Sequence, residues 1–122
     1  MEMLKDTTPI LFRIRSYEPG KIIINDQILT NSLIISKTAL QTDWPPQQVS
    51  ELTTEHFDRL LECNSKLIIF GTGEKQHFPQ ANLYATLLRH GITIEFMHTK
   101  AACYTFNILT SERRDVACAL IL

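Results

Sequence analysis

Two segments decide the fold: Phe-Gly-Thr-Gly at residues 70–73 and Thr-Lys-Ala-Ala-Cys-Tyr-Thr-Phe-Asn at residues 99–107. The first ends the apolar run 67–70, which predicts a strand buried on both faces of a sheet. The second follows the apolar run 92–97, and Thr99 is the expected N-cap of a helix that ends near Leu109. Because parallel strands end on one edge of a sheet, we expect the loops 71–77 and 98–100 to lie together.

The rest of the chain predicts one α/β domain over residues 9–122, after a short lead-in at residues 1–8. Alternating and apolar runs within residues 10–36 predict four short strands that form a small antiparallel unit. Trp44-Pro45-Pro46 interrupts regular structure in residues 37–50, and the tryptophan is expected to pack against the body. Helices are predicted over 53–64 and 79–90, and a last strand over 116–122. Alternation of helices and strands in the second half implies right-handed crossovers between parallel strands.

Composition predicts an ordinary globular protein. Of 122 residues, 44% are hydrophobic and 20% are charged, and the net charge of -1 argues against nucleic-acid binding. Three cysteines without a C-x-x-C pair favour a reducing compartment. The first residues lack the apolar core of a signal peptide, and no apolar run is long enough for a transmembrane segment. We therefore expect a cytoplasmic protein.

Several sequence marks carry a family resemblance. They are YEPG at residues 17–20, Trp44, GTG at 71–73, Gly91-Ile92, Met97, TxAACxTFNxL at 99–109 and ExRxVAxAL at 112–120. On these marks the chain resembles, from about Tyr17 to Leu120, the domain-of-unknown-function family that includes the mitochondrial complex I assembly factor three and uncharacterised bacterial and archaeal proteins. The last two marks are the more specific.

The resemblance implies a three-layer α/β domain with a mixed central sheet. It implies no established catalytic activity and no cofactor. In the mitochondrial relatives it implies a role in complex I assembly through protein contacts. This chain departs from the family at Tyr104, where Arg is frequent, and at Asp115, where a basic residue is common.

The glycine turn Gly71-Thr72-Gly73 leaves two interpretations open. A dinucleotide fingerprint would need a small residue at Gln76, and the Walker A pattern is absent, so nucleotide binding is not predicted. The backbone N–H groups of the turn would suit an anion or a carboxylate. The alternative is a tight turn that needs unusual backbone dihedral angles.

Cys103 is the one candidate nucleophile. It lies about one turn into the third predicted helix, whose positive end would lower the thiol pKa, and His98 is near in sequence. The alternative is a small buried hydrophobic residue. The four histidines show no close ligand spacing, so no metal site is predicted.

Two polar residues of the last third also have two interpretations each. Asn107 within a helix indicates either a specific hydrogen bond to a loop or a ligand contact. Arg114 belongs either to a solvated charged turn or to a segment that folds back beside Thr105 and Asn107, where it would hold a carboxylate.

These observations predict a non-enzymatic protein-interaction module, an assembly or maturation factor, that docks through residues 71–78 and 98–104. Trp44, Phe78 and Tyr104 would supply an exposed apolar patch, and the alternative is that these residues are partly buried. The alternative is a small-molecule or anion-binding protein, or an enzyme. We expect a protein partner, no nucleic acid, no cofactor and no catalytic residue, and a homo-oligomer remains open. The candidate binding residues are Gly71, Thr72, Gly73, His98, Thr99, Cys103, Tyr104, Asn107 and Arg114.

Overall fold

The computed structural model describes residues 11–122. The predicted lead-in and the first residue of the first predicted strand lie outside the described residues. Strands β1 (Ile14–Glu18), β2 (Lys21–Ile24) and β3 (Gln27–Leu29) form a three-stranded antiparallel sheet. Its register shifts between Ile14 and Ser16, so β1 carries a bulge. The predicted turn at Asn25 forms, with φ of 52° at that residue.

The central sheet has five strands in the order β5-β4-β8-β6-β7. They are β4 (Leu33–Ser36), β5 (Leu40–Gln41), β6 (Leu67–Thr72), β7 (Thr93–Met97) and β8 (Ala117–Ile121). Strand β6 pairs in parallel with both β7 and β8, whereas β4 pairs antiparallel with β8. The mixed central sheet is therefore confirmed.

The placement of β4 in the N-terminal antiparallel unit was wrong. Leu33, Ile34 and Ile35 are all buried, so this strand is apolar on both faces and needs cover on both. Within the central sheet β4 has a core on each face, with Leu33 and Ile35 in one and Ile34 in the other, and it pairs there with β8. Residues 37–50 also contain more structure than expected, because β5 forms before the two prolines and a 3₁₀ turn, Val49–Glu51, forms after them.

The helices are α1 (Thr54–Asp58), α2 (Ala85–Arg89) and α3 (Thr99–Ser111). The first two are shorter than predicted. Helix α1 begins at its expected cap, Thr53, but continues as a 3₁₀ turn, Arg59–Cys63, that ends at left-handed Asn64. Helix α2 begins later than the predicted residue 79, because Gln80 is extended. A separate 3₁₀ turn, Ala81–Leu83, comes between Gln80 and α2.

Three layers enclose two cores, one on each face of the central sheet. One core holds Trp44, Phe57 and Phe70, with the two phenylalanine rings stacked at a centroid distance of 5.2 Å. As expected, Trp44 packs into the body: it is buried, and its Nε1 donates to the carbonyl of His56 at 3.1 Å. Its place in an exposed apolar patch with Phe78 and Tyr104 was wrong, because the ring belongs to the core. Helix α3 and the small sheet cover the other core.

Strands β6, β7 and β8 end on one edge of the central sheet, here called the C-terminal edge. Gly71 pairs with Met97 on β7 and with Leu120 on β8, so the three strand ends are level. Helix α3 starts at this edge and runs back to the opposite one, here called the N-terminal edge, where β8 begins. The loops after β6 and β7 therefore lie side by side.

Candidate functional site

Thr99 ties the ends of three central strands together. Its hydroxyl accepts from the backbone N–H of Gly73 at 2.8 Å and donates to the carbonyl of Ile121 at 2.5 Å. Its own N–H donates to the carbonyl of Gly73 at 2.8 Å. The side chain is fully buried. Thr99 thus holds the β6 loop, the start of α3 and the end of β8 in one place.

The expectation that Thr99 caps α3 was wrong. His98 is the N-cap, and its Nδ1 accepts from the N–H of Ala101 at 3.2 Å. The hydroxyl of Thr99 is unavailable because two strand-end groups already occupy it. Since Nδ1 of His98 is an acceptor, Nε2 carries the proton of the neutral ring.

The glycine turn is also held by internal hydrogen bonds. The buried hydroxyl of Thr72 donates to the carbonyl of Lys75 at 2.6 Å and accepts from the N–H of His77 at 3.2 Å. Gly73 has φ of +96°, a conformation that favours glycine. The N–H of Gly73 is already bonded to Thr99, so that group is not available to an anion.

A cavity of about 380 Å³ opens at the C-terminal edge, beside these buried contacts. One wall is Tyr17, Glu18 and Pro19 of the first hairpin, and the other is Gly73, Glu74, His98 and Lys100. A wider depression of about 600 Å³ lies on the other side of Gly73 and Glu74, against residues 47–50. The C-terminal edge is thus concave on both sides of the glycine turn.

Tyr17 connects this cavity to a shallower groove of about 210 Å³ between β1 and α3. Its hydroxyl donates to the carbonyl of Leu122 at 3.0 Å. Burial raises the pKa of the Tyr17 phenol, and the nearby Cys103 and Glu74 raise it further. The phenol is therefore a neutral hydrogen-bond donor at physiological pH.

Cys103 lines the groove between β1 and α3 but is 6% exposed. Burial raises the pKa of its thiol to about 12. This shift is opposite to the lowering expected from the start of a helix, because desolvation disfavours the thiolate more than the helix end favours it. The environment is that of a small buried hydrophobic residue.

We expect Cys103 to alkylate more slowly than the thiol of an unstructured peptide at pH 7.5. The thiolate is the reacting species, and a pKa of about 12 leaves very little of it at that pH. Iodoacetamide labelling of the native chain, followed by peptide mass spectrometry, measures this rate. The same labelling in denaturant is the control. Labelling of native Cys103 as fast as the denatured chain would contradict the burial argument and revive the nucleophile hypothesis.

Asn107 uses its side-chain amide on the backbone of the bulged strand β1. Its Oδ1 accepts from the N–H of Ile14 at 3.2 Å, and its Nδ2 donates to the carbonyl of the same residue at 2.6 Å. The amide thus replaces a neighbouring strand at the edge of the small sheet. These contacts match the structural interpretation of Asn107 rather than the ligand contact.

The predicted site residues fall into three places. Gly71, Thr72, Gly73, His98 and Thr99 meet at the C-terminal edge, and Cys103, Tyr104 and Asn107 line the groove beside it. Arg114 does not fold back toward Asn107. It lies at the N-terminal edge, because Arg113 before it is left-handed, with φ of 62°, and turns the chain away from α3.

Sequence reasoning missed the wall formed by Tyr17 and Glu18. It placed Glu74 and Lys100 within the predicted docking segments but did not single them out as candidate binding residues. The YEPG mark at residues 17–20 was the available signal for Tyr17 and Glu18. No local pattern places this hairpin opposite the glycine turn, since the contact joins residues more than fifty positions apart. Among residues 11–122, no group of three or more His, Cys, Asp or Glu side chains is arranged to hold a metal ion. The helices of this region are too short or too polar to cross a membrane.

Comparison with known proteins places the chain among relatives of similar length and fold. The 13 kDa major membrane protein of Francisella tularensis is 31% identical over 118 residues, which cover 96% of this chain and 94% of that protein. The solution structure of a Xanthomonas campestris protein is 35% identical in sequence and superimposes with a TM-score of 0.83. The match covers 99% of this chain and 92% of that protein.

A longer relative has a named role. The NADH dehydrogenase (ubiquinone) 1 alpha subcomplex assembly factor 3 of Xenopus tropicalis is 30% identical over 96% of this chain, which spans 64% of that protein. The family model described as a protein of unknown function, DUF498/DUF598, matches residues 14–121, nearly the whole described region. The resemblance drawn from the sequence marks is confirmed, and the chain belongs to the DUF498/DUF598 family.

Proposed function

We propose that the chain is a non-enzymatic protein-interaction module, an assembly or maturation factor that acts in the cytoplasm and docks a partner protein on its C-terminal edge. One observation carries the proposal. Phe78 and Tyr104, in the two segments predicted to dock, are 73% and 71% exposed. Large aromatic side chains are the usual anchors of protein interfaces.

The polar groups of the edge support docking over catalysis. The hydroxyls of Thr72 and Thr99 are buried and bonded to backbone, and the thiol of Cys103 is desolvated. An enzyme would need a nucleophile or base free to reach its substrate. The relative named as an assembly factor supports the same role, and the three free cysteines support a reducing compartment.

We expect the double variant Phe78→Ser, Tyr104→Ser to lose its partner. Removal of two aromatic anchors should lower recovery of the partner by about tenfold or more, because single interface anchors are each worth about 2 kcal/mol. The experiment places a photo-crosslinking amino acid at residue 78 or 104, irradiates living cells and identifies the captured protein. The amount of that captured protein that the double variant recovers is then compared with the amount that the unchanged chain recovers.

Ile28→Ser is the matched control, because Ile28 is 62% exposed but lies on β3, in the small sheet. Crosslinkers at residues 78 and 104 should capture the same identified protein, and one at residue 28 should not. Equal capture from all three positions, or full recovery with the double variant, would refute docking at this edge.

A second candidate function, small-molecule binding, is favoured by the 380 Å³ cavity between Tyr17 and His98. This volume falls in the range of ligand pockets. Lys100 and the Nε2 of His98 would supply donors there, and Glu18 and Glu74 would supply acceptors. Native mass spectrometry of protein isolated from its own cells separates the two functions: a bound molecule of constant mass favours the second.

A further inference from the structure

A second concave surface lies at the N-terminal edge of the central sheet, away from the proposed docking edge. It is a cavity of about 270 Å³. Lys37, in the turn between β4 and β5, lines one side, and Arg113 and Arg114, in the loop between α3 and β8, line the other. Three cationic residues from two separate loops thus line one cavity.

Among residues 11–122, the positive charge of this cavity is not balanced. Asp115 is the one carboxylate in the lining, and its Oδ1 accepts from the buried Ser65 hydroxyl at 3.0 Å. Within residues 11–122, the ion pairs within 4.0 Å are Arg15 with Asp26, Lys21 with Glu18 and Arg59 with Asp43. None of the three cations of the cavity has such a partner there. Three positive groups against one negative group leave a surplus of two positive charges.

The side chains of the two arginines are not needed to cap the C-terminal end of helix α3. Cations often stabilise a helix end by neutralising its last carbonyls. Here those carbonyls already accept backbone hydrogen bonds: Arg113 N–H donates to Thr110 and Arg114 N–H donates to Leu109, each at 3.0 Å. The guanidinium groups therefore remain available to a ligand.

Arg113 also occupies a position that favours another residue type. Its φ of 62° is left-handed, and glycine is the usual residue at this point after a helix. A side chain in this conformation is strained. The fold alone would be served better by glycine, which makes Arg113 a candidate for a residue kept for its side chain.

We propose that this cavity binds the oxyanion group, phosphate or carboxylate, of a small-molecule ligand. A guanidinium offers two parallel N–H donors that match either group, and an ammonium such as Lys37 adds a point charge. The Ser36 and Thr38 side chains in the same lining add hydroxyl groups. The volume suits a small acid or a single phosphorylated group.

The test is an NMR titration of the full chain with inorganic phosphate and, separately, with succinate, at constant ionic strength. We expect saturable shifts confined to the amides of residues 37–39, 65 and 113–115. Tighter binding of phosphate assigns the site to phosphorylated ligands, and tighter binding of succinate assigns it to carboxylates. Shifts spread over the surface, or shifts that do not saturate, would overturn the proposal.

Three variants separate a built site from general charge attraction. Arg113→Gly removes the charge but suits the left-handed backbone, so the melting temperature should stay the same or rise while phosphate or succinate binds about tenfold more weakly. Arg114→Gln should weaken binding to a similar extent. Arg89→Gln makes the same charge change on α2, outside the cavity, and should change affinity less than twofold. Equal losses in all three variants would show bulk attraction only and sink the proposal.

Discussion

We expect Thr99→Val to lower the free energy of unfolding by about 2–4 kcal/mol, because it leaves one buried and one part-buried backbone group without this partner. Valine has nearly the same shape as threonine, so packing changes little. The N–H of Gly73 and the carbonyl of Ile121 each lose the hydroxyl that now bonds them. Denaturant unfolding followed by circular dichroism measures the loss, and faster hydrogen exchange at the Gly73 amide locates it.

Two companion variants test the cause. Thr99→Ser keeps the hydroxyl and loses only a methyl group, so it should cost about 1 kcal/mol. Thr105→Val removes a hydroxyl from the same helix whose partner is the sulfur of Met97 at 3.5 Å, a weak contact, and should change stability by less than about 0.5 kcal/mol. If Thr99→Val were as stable as Thr99→Ser, the hydroxyl would not join the three strand ends.

The alternating second half of the chain could be predicted because its signals are local. The apolar run of β6 and the glycine after it identify a buried strand and its turn without knowledge of the neighbours. The C-terminal edge then follows from the parallel pairing of β6 with β7, and that pairing is observed, with Gly71 opposite Met97. Such geometry places a site but does not say what it binds.

The errors concern contacts that only the tertiary structure decides. Thr99 and His98 both have side chains that can cap a helix, and the choice depends on Gly73 and Ile121, which lie 26 and 22 residues away. The pairing of β4 depends in the same way on β8, over eighty residues downstream. The sequence left two interpretations of Arg114 open, because the direction of the charged turn depends on one left-handed residue, Arg113.

Gly71→Ala should lower the free energy of unfolding by about 3 kcal/mol. The cause is a steric clash of the added methyl group, not backbone strain. A Cβ at Gly71 would lie 2.9 Å from Cδ2 of Leu120, 2.9 Å from Oγ1 of Thr99 and 3.0 Å from Cα of Thr99. Overpacking of a tight core usually costs about 1–3 kcal/mol, and here one contact is backbone that cannot rotate away. Because the clash pushes on Thr99, it should also disturb the hydroxyl that holds Gly73.

Gly73→Ala is the matched control, since it adds the same methyl group two residues later. No atom lies within 4 Å of a Cβ built there, but φ of +96° makes any side chain strained, so a cost of about 1–2 kcal/mol is expected. Gly71→Ala should shift the amide resonances of Thr99 and Leu120, whereas Gly73→Ala should leave those of Leu120 unchanged. Equal costs with equal shifts would mean that β6 and the start of α3 are not pressed together, and the C-terminal edge would lose the rigidity that a preformed docking surface needs.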